Sequence, residues 1–371
     1  MPRFSRRSFL HLSAAASVAS VFRGMGEAQM AAAVRPATHS PDAVIIDANE
    51  NPLGPCQAAR DAVAAIIPQG GRYAFNLTDD LATTFARIEG LKPEWVRATV
   101  GSTPGLGLTV LAFTSPARSY VTADPGYEYG MNTAENSGVR VVKVPLTKTY
   151  AHDVKAMLAA APDAGVFYVC TPNNPTGTLT PHSDIEYLVA NKPKESIVLV
   201  DEAYIHLSEA PSVLDLVKDG QDVIVLRTFS KVYGMAGLRC GFVIARPDRL
   251  AKVMQRGGFN PMPVTAVVAA MASLNDPQLV PERRRINAGV RQRTFEWLER
   301  NGYPYIPSES NCFLLDTKRN AKEVREAMAK ENVLIGRTWP VMPTYVRITV
   351  GTEEEMEKFR TAFQRVMKAA A

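Results

Sequence analysis

The chain has 371 residues, of which 46% are hydrophobic and 21% are charged, so it can bury a large core and at this length is expected to form two domains. Its formal net charge of +5 does not indicate a nucleic-acid partner, because residues 1–33 carry four arginines against one glutamate and leave only +2 for the rest. The cysteines lie far apart and form no metal-binding pattern, so zinc is not expected and unpaired core cysteines are predicted at Cys170 and Cys240.

The first 33 residues have the features of an export signal. An arginine pair in Ser5–Leu10 is followed by an apolar run, Leu12–Phe22, that is too short to span a bilayer, and then by several alanines that suit cleavage. The pattern resembles a twin-arginine signal, which implies transient contact with that export machinery and a periplasmic or otherwise exported location. The alternative is a frayed helical N-terminus with a chance arginine pair and a cytoplasmic protein.

Residues 34–55 predict an N-terminal arm that is rich in turns, followed by helical periodicity over residues 57–67. From about residue 98 to 245, short apolar runs alternate with amphipathic stretches. This alternation predicts an α/β large domain over residues 56–258, with helices on both faces of a mostly parallel sheet. The predicted strands lie at residues 120–122, 139–142, 166–169, 197–200, 223–226 and 241–244.

The pattern breaks near residues 259–263, and a long helical region is predicted from Val264 to about Asn301. We therefore place the domain change at residue 259. Residues 259–371 predict a smaller α+β domain, with apolar runs at 312–315, 333–335 and 345–350 around a helical pattern at 321–331.

Polar residues with catalytic potential follow three of the predicted strands. In parallel sheets, ligands bind beyond the carboxyl ends of the strands. A desolvated lysine at such an end can attack a carbonyl carbon, which makes Lys231 a candidate for a Schiff base. Asp201 can pair with a cationic ring nitrogen, and Asn174 and Tyr204 can bind a phenolate oxygen.

A phosphate site is predicted on the same side of the sheet. The turn Gly101, Ser102 and Thr103 precedes a helix expected to begin near residue 104, and helix N-termini attract anions. Ser230 and Arg239 can add donors to this site. Together with Lys231, these groups describe a site for pyridoxal 5'-phosphate.

Each of these elements also has an ordinary structural interpretation. A lysine is usually solvated, an aspartate can cap a helix, and the string Thr-Pro-Asn-Asn-Pro-Thr-Gly at residues 171–177 can be a plain loop. The functional interpretation depends on their joint occurrence, in order, at successive strand ends.

Four strings resemble those of fold-type I aminotransferases, most closely the histidinol-phosphate aminotransferase group. They are PNNPTG (172–177), DEAY (201–204), SKVYGMAGLRCGF (230–242) and YVRITVGT (345–352), and the arm NENPLGP (49–55) extends the resemblance. The resemblance implies a homodimer that moves an amino group between an amino acid or amine donor and a 2-oxo acid. It assigns Lys231 to the Schiff base and proton transfer, Asp201 to the ring nitrogen, and Asn174 and Tyr204 to the ring oxygen.

The resemblance implies four further roles. Tyr127 would stack on the cofactor ring, unless it is a core tyrosine, and Tyr73 would reach the cofactor phosphate of the neighbouring subunit. Arg347 would pair with the substrate α-carboxylate, unless its strand exposes it to solvent. Arg337 would contact the distal group of the substrate.

The sequence departs from the close group near the substrate, so the substrate pair stays open. Thr103 and Pro104 replace the usual acidic pair, Ala74 and Phe75 follow Tyr73 in place of Pro-Asp, and Leu53 replaces a common aromatic residue. The same scaffold also supports other pyridoxal-phosphate reactions, namely those of a decarboxylase, racemase, lyase or oxidase. A binding protein on this scaffold is a further alternative, which the complete set of polar residues disfavours.

Overall fold

The computed structural model describes residues 40–257 and 261–368, so the predicted export signal at residues 1–33 lies outside the described residues. Within those two ranges, no helix combines the length and the apolar composition needed to cross a membrane.

The large domain contains a seven-stranded sheet, which confirms the predicted α/β class. In spatial order, β4, β3, β5, β6 and β7 run parallel, and β8 and then β2 follow with antiparallel pairing. The strands are β2 (Val96–Thr99), β3 (Ser119–Asp124), β4 (Val141–Pro145), β5 (Ala164–Cys170), β6 (Ile197–Asp201), β7 (Val223–Thr228) and β8 (Gly241–Ile244).

Helices cover both faces of this sheet. The three central strands β5, β6 and β7 are buried along their whole length, which explains why they are continuous apolar runs rather than alternating ones. The helices of this region are α1 (Gln57–Ile66), α2 (Phe75–Glu89), α3 (Ser102–Phe113), α4 (Tyr129–Asn136), α5 (Val154–Ala160), α6 (His182–Asn191), α7 (Leu214–Lys218), α8 (Pro247–Met254) and α9 (Val264–Leu274).

Helix α3 lies unusually close to the sheet because of Gly105. A Cβ atom at Gly105 would collide with Val243 and would lie 3.2 Å from Leu226, so any larger residue would push the helix away. The close approach fixes the N-terminus of α3 near the carboxyl ends of the parallel strands.

The smaller domain is built on a three-stranded antiparallel sheet, as the α+β prediction requires. Its order is β11 (Thr338–Trp339), β12 (Met342–Thr349) and β9 (Cys312–Asp316). A second core forms between this sheet and the helices α10 (Leu279–Arg300), α11 (Ala321–Lys330) and α12 (Glu353–Lys368). The C-terminal helix α12 was not among the predicted elements.

Two elements near the predicted domain limits make contacts beyond those limits. Helix α9 packs in the core of the large domain, since Ala266, Val267, Ala269 and Ala270 are buried there. The proline-rich break suggested an earlier boundary, but an apolar helix needs cover on several sides. The arm also contributes a strand, β1 (Val44–Ile46), which pairs in parallel with β10 (Val333–Ile335) of the smaller domain.

Candidate active site

A cavity of about 660 Å³ lies where the loops that follow β2, β3, β5, β6 and β7 meet. Polar residues that follow successive strands therefore lie around one cavity. Nine of the predicted site residues line this cavity: Ser102, Thr103, Tyr127, Asn174, Asp201, Tyr204, Ser230, Lys231 and Arg239.

Asp201, the last residue of β6, is a buried carboxylate at the floor of the cavity. Tyr168 donates its hydroxyl hydrogen to Oδ2 at 3.0 Å, and the backbone N–H of Ala203 donates to Oδ1 at 3.1 Å. Burial raises the pKa of Asp201 to about 6, although these two donors and the charge of Lys231 oppose the rise. A cation in the cavity would favour the ionised form.

Lys231 faces the same cavity from the loop after β7. Its Nζ donates to the backbone oxygen of Asn49 at 3.0 Å and lies 5.2 Å from the ring centre of Tyr204. The amine is thus held between the arm and the large domain.

Asn49 organises the centre of the site, and the sequence interpretation did not single it out. It is fully buried with a left-handed φ of 53°. Its Nδ2 donates to the Tyr204 hydroxyl at 3.0 Å, and its Oδ1 accepts from the Thr349 hydroxyl at 3.1 Å. Asn311 also donates to its backbone oxygen at 3.1 Å. The role of Asn49 could not be predicted from its sequence neighbours, because its hydrogen-bond partners lie 155 to 300 positions away. The sequence shows only that a polar residue stands in the arm.

The predicted phosphate site combines a helix N-terminus with a guanidinium group. Helix α3 begins at Ser102, two residues earlier than expected, so the N–H groups of Ser102 and Thr103 belong to its unpaired first turn. Gly101 precedes it with φ 87°, and a Cβ there would lie 2.5 Å from Nη2 of Arg239. Nη1 of Arg239 lies 3.5 Å from the Ser230 hydroxyl.

Arg347 is completely buried, so the solvent-exposed alternative is wrong. Its Nη1 donates to Oδ1 of Asn174 at 2.9 Å, and its Nη2 donates to the backbone oxygen of Asp47 at 2.7 Å. Asn174 lines the cavity, which places this guanidinium directly behind the cavity wall.

Tyr73 and Arg337 stand apart from this cavity in the described chain. The Tyr73 ring is 68% exposed and stacks on Phe75, with ring centres 5.3 Å apart. Nη1 of Arg337 donates to Oε2 of Glu128 at 3.0 Å, beside Tyr127. Neither arrangement tests the role that the resemblance assigns to these residues.

A buried ion pair holds the strand ends behind Asp201. Glu202 is fully buried and accepts from Nε of Arg227 at 2.7 Å and from the N–H of Val213 at 2.7 Å. Arg227 also lies 2.7 Å from Nε2 of His206, whose pKa is lowered by burial and by Arg227. The pair links β6 to β7 immediately before the loop that carries Lys231.

Cys170 and Cys240 are free thiols in the core, as predicted. Cys170 also lines the cavity at the end of β5, where burial raises the pKa of its thiol well above the usual range. This thiol is therefore neutral.

The cavity fits pyridoxal phosphate by three independent features. A buried carboxylate with a raised pKa suits a cationic ring nitrogen, an amine stands across from it, and a helix N-terminus with an arginine suits a phosphate. No single feature would identify the cofactor, but few other ligands need all three.

Comparisons with known proteins agree with this geometry. The model of the family described as aminotransferase class I and II matches residues 41–363. A histidinol-phosphate aminotransferase of Symbiobacterium thermophilum is 33% identical over 329 residues, which cover 88% of this chain and 91% of the relative. An aromatic amino acid aminotransferase of Cutibacterium acnes is 31% identical over 338 residues, covering 90% and 95%.

One similar protein has been solved with the cofactor bound. The histidinol-phosphate aminotransferase of Sinorhizobium meliloti in complex with pyridoxal-5'-phosphate superposes with a TM-score of 0.80 at 26% identity. The alignment covers 88% of this chain and 91% of that chain.

The raised pKa of Asp201 predicts that its negative charge lowers the stability of the cofactor-free protein at neutral pH. Its folded-state pKa of about 6 exceeds the usual 3.8, so ionisation destabilises the folded state as pH rises from about 4 to above 6. We expect Asp201→Asn to stabilise the cofactor-free protein at pH 7.5 by on the order of 1–3 kcal/mol, with no gain near pH 4. Melting temperatures at both pH values measure this difference.

The matched control is Asp163→Asn. Asp163 lies on the surface, and its contact with Arg140 lowers the pKa of its carboxyl instead of raising it. The control should therefore give no stabilisation at pH 7.5. Equal effects of the two substitutions, or a destabilised Asp201→Asn protein at pH 7.5, would contradict the assignment of a costly buried charge.

Proposed function

This chain belongs to the aminotransferase class I and II family, as the family model and the relatives show, and we infer its reaction from that membership. It is a pyridoxal-phosphate-dependent transaminase. The two relatives named above carry different donors in their names, histidinol phosphate and aromatic amino acids, so the donor has to be argued from the site.

We propose that the chain transfers the amino group of an L-amino acid to a 2-oxo acid. The observation that carries this proposal is the buried Arg347 beside Asn174 at the cavity wall. A planar guanidinium binds a carboxylate through two parallel hydrogen bonds, and burial strengthens the contact. Retention of the substrate carboxylate favours transamination over loss of that group.

The residues of this chain would hold the cofactor at three points. Ser102, Thr103 and Arg239 would bind its phosphate, Asp201 its ring nitrogen, and Asn174 with Tyr204 its ring oxygen. When bound, pyridoxal phosphate supplies an electron-withdrawing ring that lowers the energy of a carbanion at the substrate α-carbon.

Lys231 would perform the proton transfer at the substrate α-carbon. Its Nζ lies at the cavity wall, 3.0 Å from the backbone oxygen of Asn49, and this oxygen can hold the amine between catalytic cycles. Asp201 would stay ionised throughout, because a cation beside it reverses the effect of burial on its pKa. Asn49 would orient the Tyr204 hydroxyl.

We also propose that two subunits share each active site. The ring of Tyr73 is too exposed for a core residue and stacks on Phe75, which is also exposed. An exposed apolar group of this kind marks an interface. In a two-fold dimer, Tyr73 would complete the phosphate site of the partner subunit.

We further propose export of the folded enzyme by the twin-arginine route. The support is the order of features in the first 33 residues, an arginine pair, a short apolar run and small residues. Export after folding suits an enzyme that acquires its cofactor first.

The amine of Lys231 can be tested by spectroscopy and by substitution. We expect the purified enzyme to absorb visible light and to lose that absorbance on single turnover with its amino donor. Lys231→Ala should alter the spectrum and lower kcat by at least about a thousandfold, since the proton-transfer group is removed. Lys192→Ala, which removes an amine that pairs with Asp222 away from the cavity, should keep both properties. Full activity in Lys231→Ala would refute the assignment.

The shared site predicts complementation between inactive proteins. Lys231→Ala and Tyr73→Ala subunits, unfolded together and refolded at equal amounts, should recover activity, because each mixed dimer contains one site with both native residues. About a quarter of wild-type activity is expected for statistical mixing. Each variant refolded alone serves as the control. No recovery, despite mixed dimers detected by mass spectrometry, would show that sites are not shared.

Export predicts where the protein accumulates. Cell fractionation should find the enzyme, shortened at its N-terminus, in the exported fraction, and replacement of both Arg6 and Arg7 by lysine should retain it in the cytoplasm. Arg3→Lys, which leaves the pair intact, is the matched control. An uncut chain in the cytoplasm of wild-type cells would contradict export.

A further inference from the structure

Two arginines lie next to each other in the smaller domain, near one indole. The backbones of Arg337 and Arg347 are joined by a hydrogen bond of 3.1 Å. Their guanidinium carbons lie 5.0 and 5.8 Å from the ring centre of Trp339. Arg347 contacts Asn174 of the cavity wall, and Arg337 contacts Glu128, which follows Tyr127 of that wall.

The hydrogen bonds of the two guanidinium groups include both neutral and charged acceptors. Arg347 donates to the neutral oxygens of Asn174 and of the Asp47 backbone. Arg337 donates to the carboxylate of Glu128 at 3.0 Å, and the side chains of this pair are only 11% and 26% exposed. Partial burial weakens solvent screening, so this ion pair is stronger than an exposed one.

Glu128 comes from the large domain, at a position that ties it to the cavity. It lies between Tyr127 and Tyr129, which both line the cavity, and it is the residue before helix α4. Its carboxylate reaches across to the smaller domain instead of capping that helix. Glu128 thus places a negative charge at the edge of the substrate space.

We propose that Glu128 is a specificity-determining residue that neutralises Arg337 and selects donors whose side chain carries no negative charge. The inference rests on the transamination proposed above and specifies its substrate class. Arg347 takes the α-carboxylate, and the aromatic rings of Tyr127 and Tyr129 suit an uncharged, preferably aromatic, side chain.

The ion pair of Glu128 and Arg337 disfavours the binding of a donor with a second anionic group. Its carboxylate or phosphate has to displace Glu128 from Arg337, and it then leaves the displaced carboxylate close to another negative charge. Rejection by like charge is a common means of substrate discrimination.

The test compares three donors on the holoenzyme in single-turnover reactions: phenylalanine, glutamate and aspartate. We expect the wild-type enzyme to have the highest kcat/KM for phenylalanine. In Glu128→Gln, the ratios of kcat/KM for glutamate and for aspartate to that for phenylalanine should rise by at least about tenfold, mainly through KM, because a binding contact is released.

The matched control is Glu353→Gln. Glu353 also pairs with arginines, Arg293 and Arg360, but it lies on helix α12 of the smaller domain. Its loss should leave both ratios unchanged, and melting temperatures of both variants will show that they fold. A wild-type preference for glutamate or aspartate, or unchanged ratios in Glu128→Gln, would overturn the proposal while leaving transamination intact.

Equilibrium binding of substrate-like acids tests the role of Glu128 separately from the proposed transamination. Glutarate and 3-phenylpropionate, a dicarboxylate and a monocarboxylate, are titrated against the cofactor absorbance. Glutarate binding that is about tenfold tighter in Glu128→Gln than in the wild type supports the proposed role of Glu128, whether or not any donor turns over. Absence of turnover with every donor would reject transamination only. Equal glutarate affinity in the two proteins would reject the role of Glu128.

Discussion

A buried carboxylate at the end of β6 imposes the main constraint on this structure. Asp201 lies at the floor of the cavity, where two hydrogen bonds only partly offset the loss of water around its charge. A cation in the cavity removes the remaining cost, and the cationic ring of pyridoxal phosphate supplies it. Cofactor binding therefore stabilises the fold, and the fold in turn keeps the ring electron-withdrawing.

The rest of the site is held by contacts between distant segments. Asn49 of the arm connects Lys231 and Tyr204 of the large domain to Thr349 and Asn311 of the smaller one. Arg347 makes a second connection through Asn174. Because both connections pass through residues that face substrate or cofactor, the positions of the two domains and the geometry of the site depend on each other.

The residues after successive strands were predictable, since parallel strands bring their carboxyl ends to one edge of the sheet. Asn49, Tyr168 and Glu128 were not, because their partners come from remote segments and one residue alone carries no signal for such a contact. Tyr168 sits in a fully buried apolar strand, where a tyrosine resembles a core residue until its hydroxyl is seen to bind Asp201. Helix α9 packs onto α1 and α2, a contact between distant segments that periodicity cannot reveal.

The identity of the lysine that holds the cofactor tests this account most directly. Borohydride treatment of the purified holoenzyme fixes the cofactor covalently to the amine that binds it, and peptide mass spectrometry then locates the label. We expect the label on Lys231 alone, the amine that faces Asp201 across the cavity. A label on another lysine, or a protein that takes up pyridoxal phosphate without any fixed label, would contradict the proposed active site.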